Sequence, residues 1–297
     1  MNSVPKIFVE SVRLCLDRWS ILESCKILSW WGQVFSQSSK NIHTLCVFVG
    51  KEEGKLYAAA QTILRDLVPL DSVDQKFITN FRILPYHGGY FHNWKEITLN
   101  QLQRLVRLIK PTTEGRPPVR YDSEFSNEIH LHGTTWIDKG ILSMRLPVDS
   151  VNLWLNTEEI LATAEEFLAN TGPLYHITIW RTYSALKQGT VDALIDRFVP
   201  IDGGTFVLTR CANPTRVQLE RLVVKCEKFN KKVTLVVWPE GFTDSSKVTD
   251  FFDFDKHYSR KMVREREVTA TREGAKLRLH VKLSVTGYIR WELGSLE

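Results

Sequence analysis

The side chains best suited to chemistry in this sequence are histidines. Glu128, His130 and His132 alternate, so on a strand they share one face, while His87 and His92 flank the Gly88-Gly89 turn. A His-x-His pair on a strand binds zinc when third and fourth ligands converge on it. No further Cys/His cluster at ligand spacing accompanies this one, so no metal is expected. Phosphate-loop, dinucleotide, serine-elbow and zinc-protease motifs are absent. Asp202-Gly203-Gly204 precedes a strand rather than a helix, so no helix amides would cradle an anion there, and it reads as a turn. Asp250–Asp255 (DFFDFD) lacks a calcium-loop glycine and reads as a solvated aromatic loop. Nucleophile, base and oxyanion donors are nowhere grouped. The expectation is a protein that is not an enzyme and carries no cofactor.

A different set of side chains stands out once the elements are laid down. Val151–Asn156, Tyr175–Arg181, Thr205–Arg210 and Lys232–Trp238 are β-branched and aromatic runs whose starts lie 24, 30 and 27 residues apart. A helix-patterned stretch fills each interval, which predicts parallel strands joined by right-handed crossovers in an open, solenoid-like β-α repeat. Period-two alternation sends Val151, Leu153, Leu155, Ile177, Ile179, Phe206, Leu208, Val233, Leu235 and Val237 toward the helices. The opposite face then carries Asn152, Trp154, His176, Thr178, Trp180, Thr205, Val207, Thr209, Thr234, Val236 and Trp238. Strands about 4.8 Å apart bring Trp154 near Trp180, with Trp238 two strands further on. Large aromatics on a rigid sheet favour protein partners, so Trp154, His176, Thr178, Trp180 and Trp238 are the candidate target-binding residues. The alternative is that the N-terminal segment or the C-terminal strands cover these indoles.

Expected helix starts are Asn156 with Glu159, Thr190, and Asn213-Pro214. Around the repeats the chain divides into residues 1–42, two or three short helices; 43–118, a small α/β region; 119–255, the repeats; and 256–297, an antiparallel meander. Within the second region a hairpin joins His43–Val49 to Lys55–Thr62, Phe81–Tyr86 is a strand, and Thr98 caps a helix that Pro111 stops. Residues 111–118 (PTTEGRPP) read as a linker or long loop. Strands are expected at Glu128–His132 and near Ile141–Leu146. The meander follows from Glu273-Gly274 and Thr286-Gly287 joining Arg264–Arg272, Lys276–Ser284 and Tyr288–Leu293. The fold class is therefore α/β, ending in antiparallel strands.

With 297 residues and 43% apolar content the chain can bury a substantial core. No run of about 18 apolar residues and no secretory leader pattern is present, so no membrane is expected. Five scattered cysteines without a CxxC pair suit a reducing compartment, the cytoplasm or nucleus. The net charge is +5, and residues 256–297 hold ten Lys/Arg against five Glu. The meander's Arg278 and Lys282, with Tyr288 and Trp291 nearby, could contact RNA or phosphate. Mixed charge at Arg264-Glu265-Arg266-Glu267 favours a solvated face instead, so nucleic acid is not the expected partner.

The opening, Val4-Pro5-Lys6-Ile7-Phe8-Val9-Glu10-Ser11-Val12 followed by Ile21-Leu22-Glu23-Ser24-Cys25-Lys26-Ile27-Leu28-Ser29-Trp30-Trp31, resembles a divergent F-box. It is similar to the version heading a large group of nematode proteins, which pair it with an F-box-associated, leucine-rich-repeat-like C-terminal region. Val4-Pro5 matches the leading hydrophobic-Pro pair and Trp31 the late tryptophan. The resemblance implies that Val4, Pro5, Phe8, Val12, Leu16, Leu22, Leu28 and Trp31 dock on a Skp-type adaptor of a cullin ubiquitin ligase, with the repeats capturing its substrate. Read from the residues alone, the same helices could instead cap the end of the repeat array.

Overall fold

The computed structural model describes residues 5–295 except 15, 17, 51–54, 86–91, 108, 110–121, 123–125, 134 and 135. The chain divides into two units: Met1–Glu114 with Arg120–Leu131 and Thr135–Val148, and Asp149–Glu297 with Gly115–Val119 and His132–Thr134. Among the described residues no helix is long and apolar enough to cross a membrane. The whole is mixed α/β, with mostly parallel and then antiparallel strands.

The first unit opens with three helices, α1 (Lys6–Leu14), α2 (Arg18–Cys25) and α3 (Trp30–Ser39). Their apolar cluster is Val9, Ile21, Val34 and Phe35, joined by Ile42 and Ile63 and flanked by Leu16, Leu22, Cys25, Trp30 and Trp31. A Cβ at Gly32 would collide with the Ile27 carbonyl, so only glycine admits the tight passage from α2 into α3. The strands are β1 (His43–Val49), β2 (Leu56–Thr62), β3 (Leu67–Val68), β4 (Ile78–Pro85), β5 (Lys95–Ile97) and β6 (Glu128–Leu131). They run in the order β6-β4-β1-β2-β3, with β5 also on β2. β4 lies parallel to β1 and β6; the other pairs are antiparallel, including the expected β1–β2 hairpin, whose turn lies outside the described residues.

Helix α4 (Leu99–Val106) is capped by a Thr98–Gln101 box and buries Leu102 and Val106, as its spacing requires. The expected strand near Ile141–Leu146 is instead the end of α5 (Trp136–Ser143). Ile137, Ile141 and Leu142 fall on one helical face and are buried, a spacing that outweighs the β-branched character of the two isoleucines. Arg18 is buried and ties α2 to the sheet by donating to the Thr62 carbonyl and the Thr44 hydroxyl, which itself donates to Asn80 Oδ1 at 3.0 Å. Residues 111–118, His87 and the Gly88-Gly89 turn lie outside the described residues.

The second unit begins with three β-α repeats and a closing strand: β7 (Ser150–Leu155), α6 (Glu158–Asn170), β8 (His176–Thr182), α7 (Gln188–Arg197), β9 (Gly204–Thr209), α8 (Arg216–Phe229) and β10 (Val233–Val237). The strands are parallel and adjacent in chain order. Their helix-side residues are buried throughout, against Ile160, Leu161, Ala164, Phe167, Leu168, Val191, Leu194, Ile195, Leu219, Leu222 and Val223. Each helix starts one to three residues away from its expected cap. Thr157 caps α6 through Ile160 N, while Asn156 donates instead to the His132 carbonyl. Gln188 opens α7, and the Thr190 hydroxyl is drawn to Glu165. Thr215 with Gln218 forms the box of α8.

After α9 (Phe254–His257) come β11 (Arg260–Val263), β12 (Glu267–Thr271), β13 (Leu277–Leu283) and β14 (Ile289–Ser295). The antiparallel meander is as expected, but it joins the repeats through its last strand, in the order β11-β12-β13-β14-β10. Its apolar face, including Val268, Leu279, Val281, Leu283, Ile289 and Trp291, is covered by Phe251, Phe252, Phe254 and Tyr258. Phe252 and Phe254 pack on the Trp291 ring at centroid distances of 5.3 and 6.1 Å. The DFFDFD segment is thus a buried aromatic lid rather than a solvated loop, because a meander without a following helix needs another cover for its apolar side. Trp291 belongs to that interior and not to the basic face.

Candidate functional site

The uncovered face of the second unit is built by strand register. Trp154 stands opposite Trp180, and Trp180 opposite Thr209. Leu208 is opposite Val237, so one step further along both strands sets Thr209 beside Trp238. One row therefore runs across four strands near their carboxyl ends, the end at which open α/β sheets bind ligands. Ring contacts extend it both ways: His132 lies 5.5 Å from Trp154, and Trp238 lies 5.2 Å from Tyr288.

The row is not uniform. Trp180 Nε1 donates to Asn152 Oδ1 at 2.9 Å, which draws its indole toward β7 and onto Trp154, ring to ring at 5.8 Å. Trp238 packs the opposite way, on Tyr288. Two aromatic pairs thus flank Thr209, with a gap over that residue set by two strand spacings, about 10 Å from backbone to backbone. Trp154 is 38% exposed, and Trp180, Trp238, Thr178 and His176 are half-buried. Within the second unit the meander does not seal these rings.

Below the aromatic row, Asn152, Thr178, Val207 and Val236 continue into Arg290, Lys282 and Glu267. The next row runs Ser150, His176, Thr205 and Thr234 into Glu292, His280 and Thr269. The aromatic patch and the charged meander face are therefore one surface, a continuity that required knowing that β14 pairs with β10. Lys282 pairs with Glu267 at 3.0 Å and Arg290 with Glu292 at 2.6 Å. His280 lies 3.8 Å from both carboxylates. The positive groups there are largely matched locally.

His176 Nδ1 lies 2.9 Å from the Thr205 hydroxyl, and burial pulls its pKa down to about 4, so the ring is neutral near pH 7. A neutral histidine and an asparagine beside indoles offer hydrogen bonds and apolar surface rather than charge.

The adaptor set occupies two environments. Leu16, Leu22 and Trp31 pack against the helical cluster, and Val12 is half-buried. Pro5 and Phe8 are exposed, and Leu28 stands fully in solvent after the end of α2. Ile7, Trp19 and Ile27 are exposed as well. Val9, one residue along from Phe8, is the residue of α1 buried in the cluster, and Phe8 points outward. Val4 lies outside the described residues.

Glu128 is engaged by Arg82 Nε at 2.8 Å, and the His132 ring lies against Trp154 at an inclination of 45°. Among the described residues no group of three or more His, Cys, Asp or Glu side chains is placed to hold a metal ion. Cys46, Cys211 and Cys226 are buried; burial pushes the Cys46 thiol up to about 11 and the Cys226 thiol up to about 12, so both are unreactive at neutral pH. Asp202 accepts from Lys232 N at 3.0 Å and from Lys231 Nζ at 3.1 Å, serving as the expected turn.

The sequence reading missed a ladder of side chains between successive helices. Glu165 on α6 accepts from Lys187 N at 2.8 Å and from Thr190 Oγ1 at 3.1 Å. Gln218 and Arg221 on α8 donate to Asp192 on α7, and Lys225 donates to the Ile195 and Asp196 carbonyls. These bonds fix one repeat on the next and keep the open face rigid. No protein-family model, no curated protein and no solved structure matches this chain.

Proposed function

We propose that the chain is a non-enzymatic protein-recognition module that holds its target on the Trp154–Trp180–Thr209–Trp238 row. The observation that carries this reading is the row itself: partly exposed indoles at fixed spacing on a ladder-braced sheet. Preorganised aromatics bind at low entropic cost and dominate interface energies. Asn152, His176 and Thr178 supply polar contacts around them.

On the same reading the β-α repeats form a solenoid-like receptor, and the F-box-like N-terminal helices bind a Skp-type adaptor, making the chain the substrate receptor of an SCF-type ubiquitin ligase in the cytoplasm or nucleus. Support comes from the outward Phe8 and Leu28 with Ile7, Trp19 and Ile27, more exposed apolar surface than such a small helical unit needs for itself. Purified Skp-type adaptor should form a stoichiometric complex with the full chain in size-exclusion chromatography and calorimetry. Phe8→Glu with Leu28→Glu should abolish it while leaving the melting temperature unchanged. Absence of a complex with the intact chain removes the ligase assignment and leaves the receptor face standing. An RNA- or phosphate-binding role for Arg278 and Lys282 is the competing reading. It is weakened by the Glu267 and Glu292 partners on that face, and it requires binding that falls steeply with salt.

A further inference from the structure

The second unit ends at an edge. β11 is the outermost strand beside β12, and all four of its residues, Arg260, Lys261, Met262 and Val263, are exposed. The hydrogen-bond phase of this edge follows from the turn beside it. Arg264 N donates to the Glu267 carbonyl at 2.8 Å, so that pair is hydrogen-bonded. Alternation then makes Met262–Thr269 and Arg260–Thr271 bonded pairs, and turns the N–H and C=O groups of Lys261 and Val263 outward. On β12 the Leu283 N bond to the Arg266 carbonyl gives the same phase from the other side. Among the described residues no strand lies beyond.

Beside this edge is a groove of about 350 Å³ lined by Lys247, Val248, Val263, Arg264, Glu265 and Val268. Val263 is 52% exposed at the groove, and Met262 is equally exposed on the opposite face of the strand. An added strand would therefore find an apolar groove on one face, and Met262 flanked by Arg260 and Arg264 on the other. The surrounding charge is positive: Arg260, Lys261, Arg264 and Lys247 outnumber Glu265 and Asp255, the latter already paired with Lys261 at 2.5 Å.

We propose that β11 is a docking edge for an extended acidic polypeptide segment, which adds as a further strand with its apolar side chains against Val263 and the groove and its carboxylates on the other face, toward Arg260 and Arg264. Main-chain bonds to Lys261 and Val263 supply affinity, and the basic rim selects the partner. A second copy of this chain is disfavoured as occupant, because two β11 edges would bring Arg260, Lys261 and Arg264 against their own kind. The inference does not depend on the tryptophan row.

The test uses a fluorescent peptide of about ten residues alternating Val and Glu, its Val/Lys counterpart, and the acidic peptide with N-methylated amides, titrated by anisotropy into the full chain. The acidic peptide should bind at least about tenfold more tightly than the lysine peptide, and N-methylation should remove binding. Val263→Pro should remove it too, because the lost N–H points away from β12 and the meander can stay intact. If Val263→Pro lowers the melting temperature, Arg260→Glu with Arg264→Glu replaces it and must reverse the preference toward the lysine peptide. Binding that survives both N-methylation and Val263→Pro overturns edge pairing in favour of charge alone. No binding of any peptide overturns the proposal. So does edge-dependent dimerisation of the chain without peptide binding, which would assign the edge to a second copy.

Discussion

Trp154 and Trp180 are direct neighbours on parallel strands, with ring centroids 5.8 Å apart and planes inclined at 38°. Their coupling is held by Asn152, which accepts the Trp180 indole N–H. The first prediction follows from this pairing. Trp154→Phe should diminish the exciton signal of coupled indoles in far-ultraviolet circular dichroism, leaving the separate contribution of Trp30 and Trp31, whose rings are 6.5 Å apart. Because Trp154 is substantially exposed, unfolding free energy should change by no more than about 0.5 kcal/mol. An unchanged spectrum would mean that the two rings are not coupled in solution.

His176 gives the second. Burial lowers its folded-state pKa from the ordinary 6.5 to about 4, so in that window the unfolded chain binds more protons than the folded one. Stability from this residue is complete above pH 6.5 and is lost as pH falls toward 4, up to about 3 kcal/mol. Denaturant unfolding of wild type and His176→Gln at pH 7, 6, 5 and 4 should show a shallower acid decline in the variant. Parallel curves would contradict the assignment.

Glu165 gives the third, with the same pH dependence from a different cause. Burial pushes its pKa up, but hydrogen bonds from Lys187 and Thr190, with the Lys187 charge, outweigh burial and hold it below the usual 4.5. Its stabilisation is therefore present above pH 4.5 and disappears as pH falls through the lowered folded value. Glu165→Gln should cost about 1–3 kcal/mol at pH 7 and progressively less in acid. Because this carboxylate joins α6 to α7, hydrogen exchange should rise at the start of α7 before it rises in α8.

Trp291 is the fourth. It is 1% exposed beneath Phe252 and Phe254, so Trp291→Ala should cost about 3–5 kcal/mol in denaturant unfolding and expose both phenylalanines. A cost under about 1 kcal/mol would mean that the lid does not depend on this ring.

How much of this was legible depends on the range of the interaction. The strands β7–β10 and the two faces of each follow from local alternation, and the neighbouring indoles follow from a repeat short enough to place consecutive strands side by side. Phe251–Phe254 could not be read as interior, because the residue that buries them, Trp291, is about forty positions away. The parallel pairing of β1 with β4 and the insertion of β14 beside β10 are likewise non-local. Helix α5 was misread because Ile141 and Leu142 suit a strand as well as a helix until Ile137 is counted with them. The caps slipped for a finer reason: side-chain oxygens at Thr157 and Thr215 reached the helix amides, while Asn156 turned to the His132 carbonyl and Thr190 to Glu165 of the preceding repeat. At the N-terminus Val9 is buried while its neighbour Phe8 stays exposed, a choice made by packing between helices that are apart in sequence.

The position of β14 governs how this unit comes into being on the ribosome. Of the unit's strands it is synthesised last, yet it lies between β10 and β13, contributing Ile289, Trp291 and Leu293 to the covered side. Until Ile289–Ser295 have emerged, the repeats and the β11–β13 hairpins are two half-finished sheets with bare flanks, and the phenylalanines of the lid have no tryptophan to close on. A nonsense mutation just before Ile289 would thus do more than shorten the chain: it would leave two sticky borders and a nascent product for chaperones and proteases to dispute.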